Sequence, residues 1–273
     1  MFLHNCGRSV AGLFCLLLFV SMTACSSRDS GEKGSGSGNI SYSFSKEEVP
    51  PGLRADSLDF PTRPREVLLT TYPEHRLIPV YELQFRERRG KVYTFTGIGS
   101  YYADFQEDAA SYNDNWLEHI MPGFRGYHGN GLVNVSHFNT KTQERRRIFP
   151  EPVMIQTLYF PAIEPDTLNG SPVQRSFYMI SCYDQDTNGD GYINWWDLRR
   201  LKWFDLDGEF KSDLIPETHN VLSSNYDPGK DYFYVYARAD KNRNGKSELE
   251  EPIDIFWIDL QDPSQRGLLY AEE

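Results

Sequence analysis

Apolar and polar residues alternate along much of the chain from residue 67 onward, in short stretches rich in aromatic and β-branched side chains. Because a period of two places successive side chains on opposite faces of a strand, each stretch predicts a β-strand. The clearest stretches are 67–72, 77–85, 91–96, 132–138, 153–160 and 177–183. A weak helical period occurs at 107–120, before Pro122-Gly123. The pattern predicts an all-β fold with a minor helical part.

The chain also repeats itself when it is shifted so that Asp186 falls on Asp240. The match runs without a gap from an acidic loop into the strand that follows, and it extends into the strand before the loop. The aligned pairs are Tyr178/Tyr232, Ile180/Tyr234, Asp186/Asp240, Asn188/Asn242, Asp190/Asn244, Gly191/Gly245, Asp197/Glu251, Leu201/Ile255, Trp203/Trp257, Asp205/Asp259 and Leu206/Leu260. A unit of strand, acidic loop and strand is therefore predicted to occur twice.

Residues 132–149 show a weaker form of the same order, in which a strand-like run is followed by the polar turn 139–142. Units of this kind resemble blades of a β-propeller such as the TolB-like repeats, and the resemblance implies a partial or small propeller. The remaining chain has room for roughly four units at this period, fewer than common propellers have. A β-sandwich of repeated hairpins therefore stays open as the alternative.

The first acidic loop has oxygen-bearing side chains at alternate positions. Calcium in an EF-hand loop is bound by positions 1, 3, 5, 7 (through the backbone carbonyl), 9 and 12, and glycine at position 6 permits the sharp turn. These positions hold Asp186, Asn188, Asp190, Tyr192, Asn194 and Asp197, with Gly191 at position 6 and Ile193 at position 8. We predict that this loop, within 184–197, binds Ca²⁺.

The second loop, at 240–251, follows the same spacing but carries less negative charge. Its six ligand positions hold Asp240, Asn242, Asn244, Lys246 (through its carbonyl), Glu248 and Glu251. It departs from the pattern at Ser247, where an aliphatic residue is usual, and Arg243 adds positive charge. We expect weaker Ca²⁺ binding here, and the alternative is a solvated hairpin turn rich in Asn and Gly.

Asp184 offers a second register for the first loop, in which Trp195 would occupy position 12. Because tryptophan offers no oxygen ligand, we interpret Asp184 as a carboxylate behind the ligands or as an alternative ligand. The runs before both loops, at 177–180 and 232–236, are strongly β-forming, so neither loop has the incoming helix of a calcium sensor. The predicted role of the ions is structural.

The segment 186–204 also resembles half of a dockerin repeat, in which such a loop precedes a helix. Leu198, Leu201 and Lys202 fit that helix, and the resemblance implies binding to a cohesin. The second loop departs from the pattern, because it begins farther along the chain than the second loop of a dockerin pair and precedes 252–256, which predicts a strand. We therefore retain the loop and discard the dockerin fold.

The amino-terminal segment predicts export and a lipid anchor. Arg8 precedes an apolar run at 10–20, which has the length of a secretory signal and is too short to span a bilayer. The following Met22-Thr23-Ala24-Cys25 resembles a bacterial lipobox. This resemblance implies that 1–24 is a cleaved lipoprotein signal peptide, that Cys25 carries lipid, including palmitate, and that Ser26 directs the chain to the outer membrane, on either side.

Domain organisation follows from the composition after Cys25. Residues 25–64 begin with a Ser/Gly-rich run and continue with four prolines, which favours a flexible tether. We predict a β-rich domain at 65–273. Because Cys6 and Cys15 leave with the signal, Cys182 is the one cysteine of that domain, and its apolar surroundings predict a buried structural thiol.

The net charge of the chain limits the kinds of partner that it can bind. The chain has 39 acidic and 28 basic side chains and a net charge of -11, which excludes duplex nucleic acid as a partner because such binding depends on Lys and Arg. Recognisable hydrolase and phosphate-binding motifs are absent from the sequence. His119, His128 and His137 have no period that places them on one face, and we interpret them as structural.

These observations favour a calcium-binding outer-membrane lipoprotein with a structural or interaction role at the cell envelope, with an envelope protein or a glycan as partner. The alternative is a Ca²⁺-dependent cell-surface hydrolase or carbohydrate-binding protein. Four tryptophans suit a carbohydrate-binding surface, although packing in the core or between repeats is the default explanation for aromatic residues at strand spacing: Trp195, Trp196, Trp203 and Trp257. The sequence offers little support for an enzyme.

Overall fold

The computed structural model describes residues 52–88, 91–96 and 121–272. In these residues the regular structure consists of strands, with no helix, so the predicted all-β class is confirmed. The strands are β1 (Leu53–Arg54), β2 (Thr62–Pro64), β3 (Leu68–Leu69), β4 (His75–Arg88), β5 (Lys91–Thr96), β6 (Phe124–Tyr127), β7 (Leu132–Asn139), β8 (Arg145–Arg147), β9 (Met154–Pro161), β10 (Asp166–Leu168), β11 (Ser171–Val173), β12 (Phe177–Tyr183), β13 (Tyr192–Ile193), β14 (Arg200–Asp205), β15 (Phe210–Asp213), β16 (His219–Asp227), β17 (Tyr232–Ala239), β18 (Ile253–Asp259) and β19 (Arg266–Tyr270).

The predicted helix at 107–120, the signal peptide and Cys25 lie outside the described residues. In the part of the chain that the structure describes, no helix is long and apolar enough to cross a membrane.

The strands form three larger antiparallel sheets. A six-stranded sheet has the order β2-β4-β7-β8, with β3 and β5 also paired to β4. A five-stranded sheet has the order β15-β14-β12-β9-β6, and a four-stranded sheet has the order β16-β17-β18-β19. Two short ribbons, β1-β13 and β10-β11, complete the pairing. Neighbours in sequence are mostly neighbours in a sheet, as hairpin connections require.

The five-stranded sheet is covered on both faces, because its strand β12 contributes to two hydrophobic clusters. Met179 belongs to a cluster that includes Phe233 and Ile258 of the four-stranded sheet. Ile180 belongs to a cluster that includes Leu77 and Val135 of the six-stranded sheet. Burial on both faces explains why β12 is apolar along nearly its whole length, with Ser181 as the exception.

The unit that repeats in the sequence is a pair of antiparallel strands joined by a loop. Strand β12 pairs with β14, and β17 pairs with β18. Phe177 lies opposite Asp205, whereas Tyr232 lies opposite Asp259. The structurally equivalent residues are therefore Phe177 and Tyr232, which corrects the ungapped match of Tyr178 to Tyr232. The first unit has one extra residue between its strand and its loop.

Folded structure begins before Arg65, the predicted start of the domain. Leu53 of β1 is buried and pairs with Ile193 of the first acidic loop, while Thr62 of β2 pairs with Glu82 of β4. Pro64 itself lies in β2 opposite Val80 of β4, so a proline does not prevent pairing at this position of the sheet.

Candidate calcium-binding loops

Both acidic loops are long connections between paired antiparallel strands. Residues 184–199 join β12 to β14, and residues 240–252 join β17 to β18. The paired strands hold the two ends of each loop close together, so the loop must fold back on itself. Within the first loop, β13 pairs with β1, which adds an outside support.

Backbone N–H groups at fixed positions hold the side chains of the first loop. The Asp186 carboxylate accepts hydrogen bonds from the N–H groups of Asp190 and Gly191, at 3.1 and 2.8 Å. The Asn188 amide oxygen accepts from Asp190 at 2.8 Å, and the Asp190 carboxylate accepts from Tyr192 at 2.9 Å. Positions 1, 3 and 5 are thus turned toward the inside of the loop.

The second loop makes the same bonds at the same positions. The Asp240 carboxylate accepts from the N–H groups of Asn244 and Gly245, both at 3.0 Å. The amide oxygens of Asn242 and Asn244 accept from Asn244 and Lys246, each at 2.9 Å. The two loops therefore share one hydrogen-bonding pattern despite their different charge.

The backbone conformation of the loops is also shared. Position 6 has φ of 90° at Gly191 and 72° at Gly245, a left-handed conformation that glycine adopts without steric cost. Position 4 is left-handed too, with φ of 73° at Gly189 and 59° at Arg243. The left-handed backbone conformation costs a non-glycine residue about 1–2 kcal/mol. The hydrogen bonds from the loop backbone to its side chains must therefore hold Arg243 in this conformation.

The residue at position 12 closes each loop onto its start. Asp197 is fully buried and accepts hydrogen bonds from the N–H groups of Thr187 and Asn194, both at 2.7 Å. Glu251 accepts the equivalent two bonds, from positions 2 and 9 of its loop, at 2.9 and 3.2 Å. Burial raises the pKa of the Asp197 carboxyl, and the backbone N–H donors oppose this shift.

The predicted ligands are brought together to different degrees in the two loops. In the second loop, the Glu248 carboxylate accepts hydrogen bonds from the side-chain amides of Asn242 and Asn244, at 2.7 and 3.0 Å, so positions 3, 5 and 9 meet. In the first loop the carboxylates are bonded to backbone N–H groups, and among the described residues they are not part of a tight three-ligand cluster.

Asp184, at the start of the first loop, has a cationic partner in strand β14. Its carboxylate forms an ion pair with Lys202 at 2.9 Å, and Lys202 also contacts Asp213 at 2.9 Å. Burial lowers the pKa of Lys202, but the two carboxylates outweigh burial and raise it overall. The structure thus gives Asp184 a cationic partner, and its role beside an ion stays a prediction. Lys202 lies in strand β14, so the dockerin-type helix is absent here.

The two loops contact each other, which the sequence did not indicate. The Thr187 hydroxyl, at position 2 of the first loop, donates a hydrogen bond to the Gly245 carbonyl at 2.6 Å and accepts one from the Leu198 N–H at 2.9 Å. A Cβ atom on Gly245 would lie 1.8 Å from the Thr187 carbonyl oxygen. Glycine at position 6 of the second loop is therefore required by packing as well as by backbone conformation.

The tryptophans do not share one surface. Trp195 and Trp196 pack edge to face at 5.7 Å, while Trp203 packs against Phe177 in the core. Trp257 stacks on Tyr232, with ring centres 5.1 Å apart. Core and intra-sheet packing thus explains Trp203 and Trp257.

Two of the predicted structural histidines are hydrogen-bonded, and His119 lies outside the described residues. His128 contacts the Thr157 hydroxyl at 3.0 Å, and His137 contacts His75 at 2.9 Å. Cys182 is a free, fully buried thiol, as predicted, and burial raises its pKa well above the usual value.

No protein-family model matches the chain, and no curated protein matches its sequence.

Proposed function

We propose that the two acidic loops bind Ca²⁺ and that the ions stabilise a β-rich domain held at the outer membrane by lipid on Cys25. The observation that carries this proposal is that two loops in separate parts of the chain make the same hydrogen bonds at the same positions. The two loops differ in charge but form the same hydrogen bonds. A common need to place oxygen ligands around an ion explains this similarity best.

The ligand chemistry suits a hard cation. Ca²⁺ takes six to eight oxygen ligands, and each loop offers carboxylate, amide and backbone carbonyl oxygens at the six EF-hand positions. Oxygens that accept an N–H bond retain a lone pair for the ion. The first loop supplies three carboxylates and the second supplies three, but Arg243 and Lys246 offset the charge of the second. Tighter binding at the first loop is therefore proposed.

A structural role fits the position of the loops better than a sensor role. Each loop lies between two paired strands whose ends are fixed in a sheet, so an ion has no helix to reorient. Neutralising the carboxylates would stabilise the folded connection. We extend the proposal to a propeller-like arrangement of the repeated units, because the three larger sheets are antiparallel and, apart from β6, each is formed by a successive part of the chain.

The test is thermal unfolding of the full chain in chelator and in 1 mM CaCl₂. A dissociation constant near 10⁻⁴ M gives about 1.4 kcal/mol per site, which raises the Tm by about 3–6 °C per site. The Asp186→Asn variant keeps one side-chain oxygen to accept the N–H bonds of Gly189 and Asp190, but it loses the charge and the oxygen that accepts from Gly191. We expect it to remove about half of the calcium-dependent shift or more, and Asp240→Asn to remove less.

The matched control is Glu144→Gln, which neutralises an exposed carboxylate in the connection between β7 and β8. It should leave the calcium-dependent shift unchanged. Because each protein is compared with itself in chelator, a general loss of stability in a variant does not imitate the result. Absence of a shift in the unaltered chain, or an undiminished shift in both loop variants, would refute calcium binding at the loops.

A further inference from the structure

Two histidines and one aspartate converge at a place remote from the acidic loops. His75 begins β4 and His137 lies in β7, its partner in the six-stranded sheet. Leu77 lies opposite His137 and His75 lies opposite Asn139, so the two histidines are diagonal neighbours on one face of the sheet. Their side chains are almost fully buried, with 8% and 2% of the residue exposed.

Asp207 joins the two histidines from the neighbouring five-stranded sheet. It lies in the turn between β14 and β15, where Gly208 has a φ of 74° and approaches His137. The Asp207 carboxylate oxygen lies 3.9 Å from the Nδ1 atom of His75. One ligand atom from each of the three residues lies within 4.8 Å of the other two. We propose that His75, His137 and Asp207 bind a divalent transition-metal ion, with Zn²⁺ as the first candidate.

The spacing of the imidazoles suits a tetrahedral zinc ion. Zn–N bonds of about 2.0–2.1 Å at a tetrahedral angle place two ligand nitrogens about 3.3 Å apart and their ring centres about 5.2 Å apart. The ring centres of His75 and His137 lie 5.1 Å apart, and the facing nitrogens lie 2.9 Å apart. Zinc binding thus requires the rings to tilt, which separates the nitrogens by about 0.4 Å without moving the ring centres.

The carboxylate must move toward the histidines to complete the set. Its oxygen lies 3.9 Å from His75 and within 4.8 Å of the His137 ligand nitrogen. These distances exceed the expected ligand-to-ligand separation by about 0.6 Å and by up to about 1.5 Å. The Asp207 side chain is 65% exposed. The neighbouring Asp205 is held by an ion pair with Lys211 and by the Glu209 N–H. Asp207 is therefore the carboxylate that is available, and its exposed side leaves the fourth position to water.

The donor set distinguishes this site from the acidic loops. Two imidazole nitrogens and one carboxylate suit Zn²⁺ and related transition metals, whereas Ca²⁺ takes oxygen ligands. The sites also lie at opposite ends of β14: the first loop precedes Arg200, and Asp207 follows Asp205. Six strand residues separate them by roughly 20 Å. The two proposed sites therefore share no ligand.

A hydrogen bond between the two imidazoles is the alternative explanation of the 2.9 Å contact, with the donor set by the tautomer. The test is a Zn²⁺ titration of the full chain in competition with a chromogenic chelator, in 1 mM CaCl₂ so that calcium competes at the loops. We expect one high-affinity Zn²⁺ per chain. His137→Gln should abolish it, and Asp207→Asn should weaken it at least about tenfold.

The matched control is His128→Gln, because His128 is a partly buried histidine that hydrogen-bonds to Thr157 and contributes no ligand. It should bind Zn²⁺ like the unaltered chain. Asp207→Asn alters an exposed side chain, so it keeps the test valid if His137→Gln does not fold. Failure of the unaltered chain to bind one Zn²⁺, or binding that Asp207→Asn and His137→Gln leave unchanged, would overturn the proposal and leave the hydrogen-bonded pair.

Discussion

At the scale of single residues, the burial of Cys182 determines the chemistry of its thiol. Desolvation raises the pKa of the Cys182 thiol well above the usual value, and the nearby Asp184 carboxylate adds to the shift. In the unfolded chain the same thiol titrates near about pH 8.5. The native thiol therefore stays protonated, and inert as a nucleophile, at a pH where the unfolded one ionises.

This difference predicts a loss of stability at alkaline pH. Above about pH 8.5 the unfolded chain releases the Cys182 proton and the native chain retains it, so this group lowers the free energy of unfolding by up to about 1.4 kcal/mol per pH unit. The contribution is absent below pH 8.5. Urea unfolding between pH 8 and 9.5 measures the slope, which should be shallower in Cys182→Ala. Equal slopes in the two proteins would contradict the assignment.

At the scale of elements, the contact between the two acidic loops connects the repeated units. Thr187 and Gly245 approach so closely that the second loop has no room for a Cβ atom at position 6. The equivalent Gly191 of the first loop has nothing within 4 Å of its Cβ position. The loops therefore have the same backbone conformation in different surroundings.

This asymmetry makes Gly191→Ala a matched control for Gly245→Ala. Both substitutions place alanine at positive φ, which costs about 1–2 kcal/mol. Gly245→Ala must also displace the Thr187 backbone, and we expect it to lose about 1–3 kcal/mol more. The free energies of unfolding in urea, in chelator, give the comparison. Equal losses would show that the loops are not in contact.

At the scale of the whole molecule, a buried arginine ties the five-stranded sheet to the four-stranded sheet. Arg175 precedes β12 and forms a two-bond ion pair with Asp231, in the turn between β16 and β17, at 2.7 and 2.8 Å. It also donates to the carbonyl oxygens of Pro122 and Leu260, both at 2.8 Å. Arg175 and Asp231 are each 2% exposed. Water therefore cannot solvate either charge if its partner is removed.

Removing the arginine should therefore cost far more than removing a surface charge. Arg175→Ala leaves the Asp231 carboxylate buried without its partner, and we expect a loss of about 3–5 kcal/mol in the free energy of unfolding. Arg125→Ala, which breaks an exposed ion pair with Glu164 of 3.6 Å, should cost less than about 1 kcal/mol. Similar losses in the two variants by urea unfolding would contradict this role.

The sequence predicted the strands well because strand formation leaves a local signal. The short aromatic and β-branched stretches at 132–138 and 177–183 correspond to β7 and β12, and 91–96 corresponds to β5. Folded structure begins earlier than the sequence predicts, because a two-residue strand such as β1 leaves no pattern. Its pairing joins Leu53 to Ile193, in a distant part of the chain, so the strand depends on a partner that its own sequence does not reveal.

The sequence by itself determined the spacing of the loop side chains, since these contacts join residues within twelve positions of one another. Only the tertiary structure decided the contact of Thr187 with Gly245, the pairing of Asp184 with Lys202 and the meeting of His75, His137 and Asp207. Sheet pairing and packing bring together side chains that are far apart in the chain, and residue patterns along the sequence do not record which of them meet.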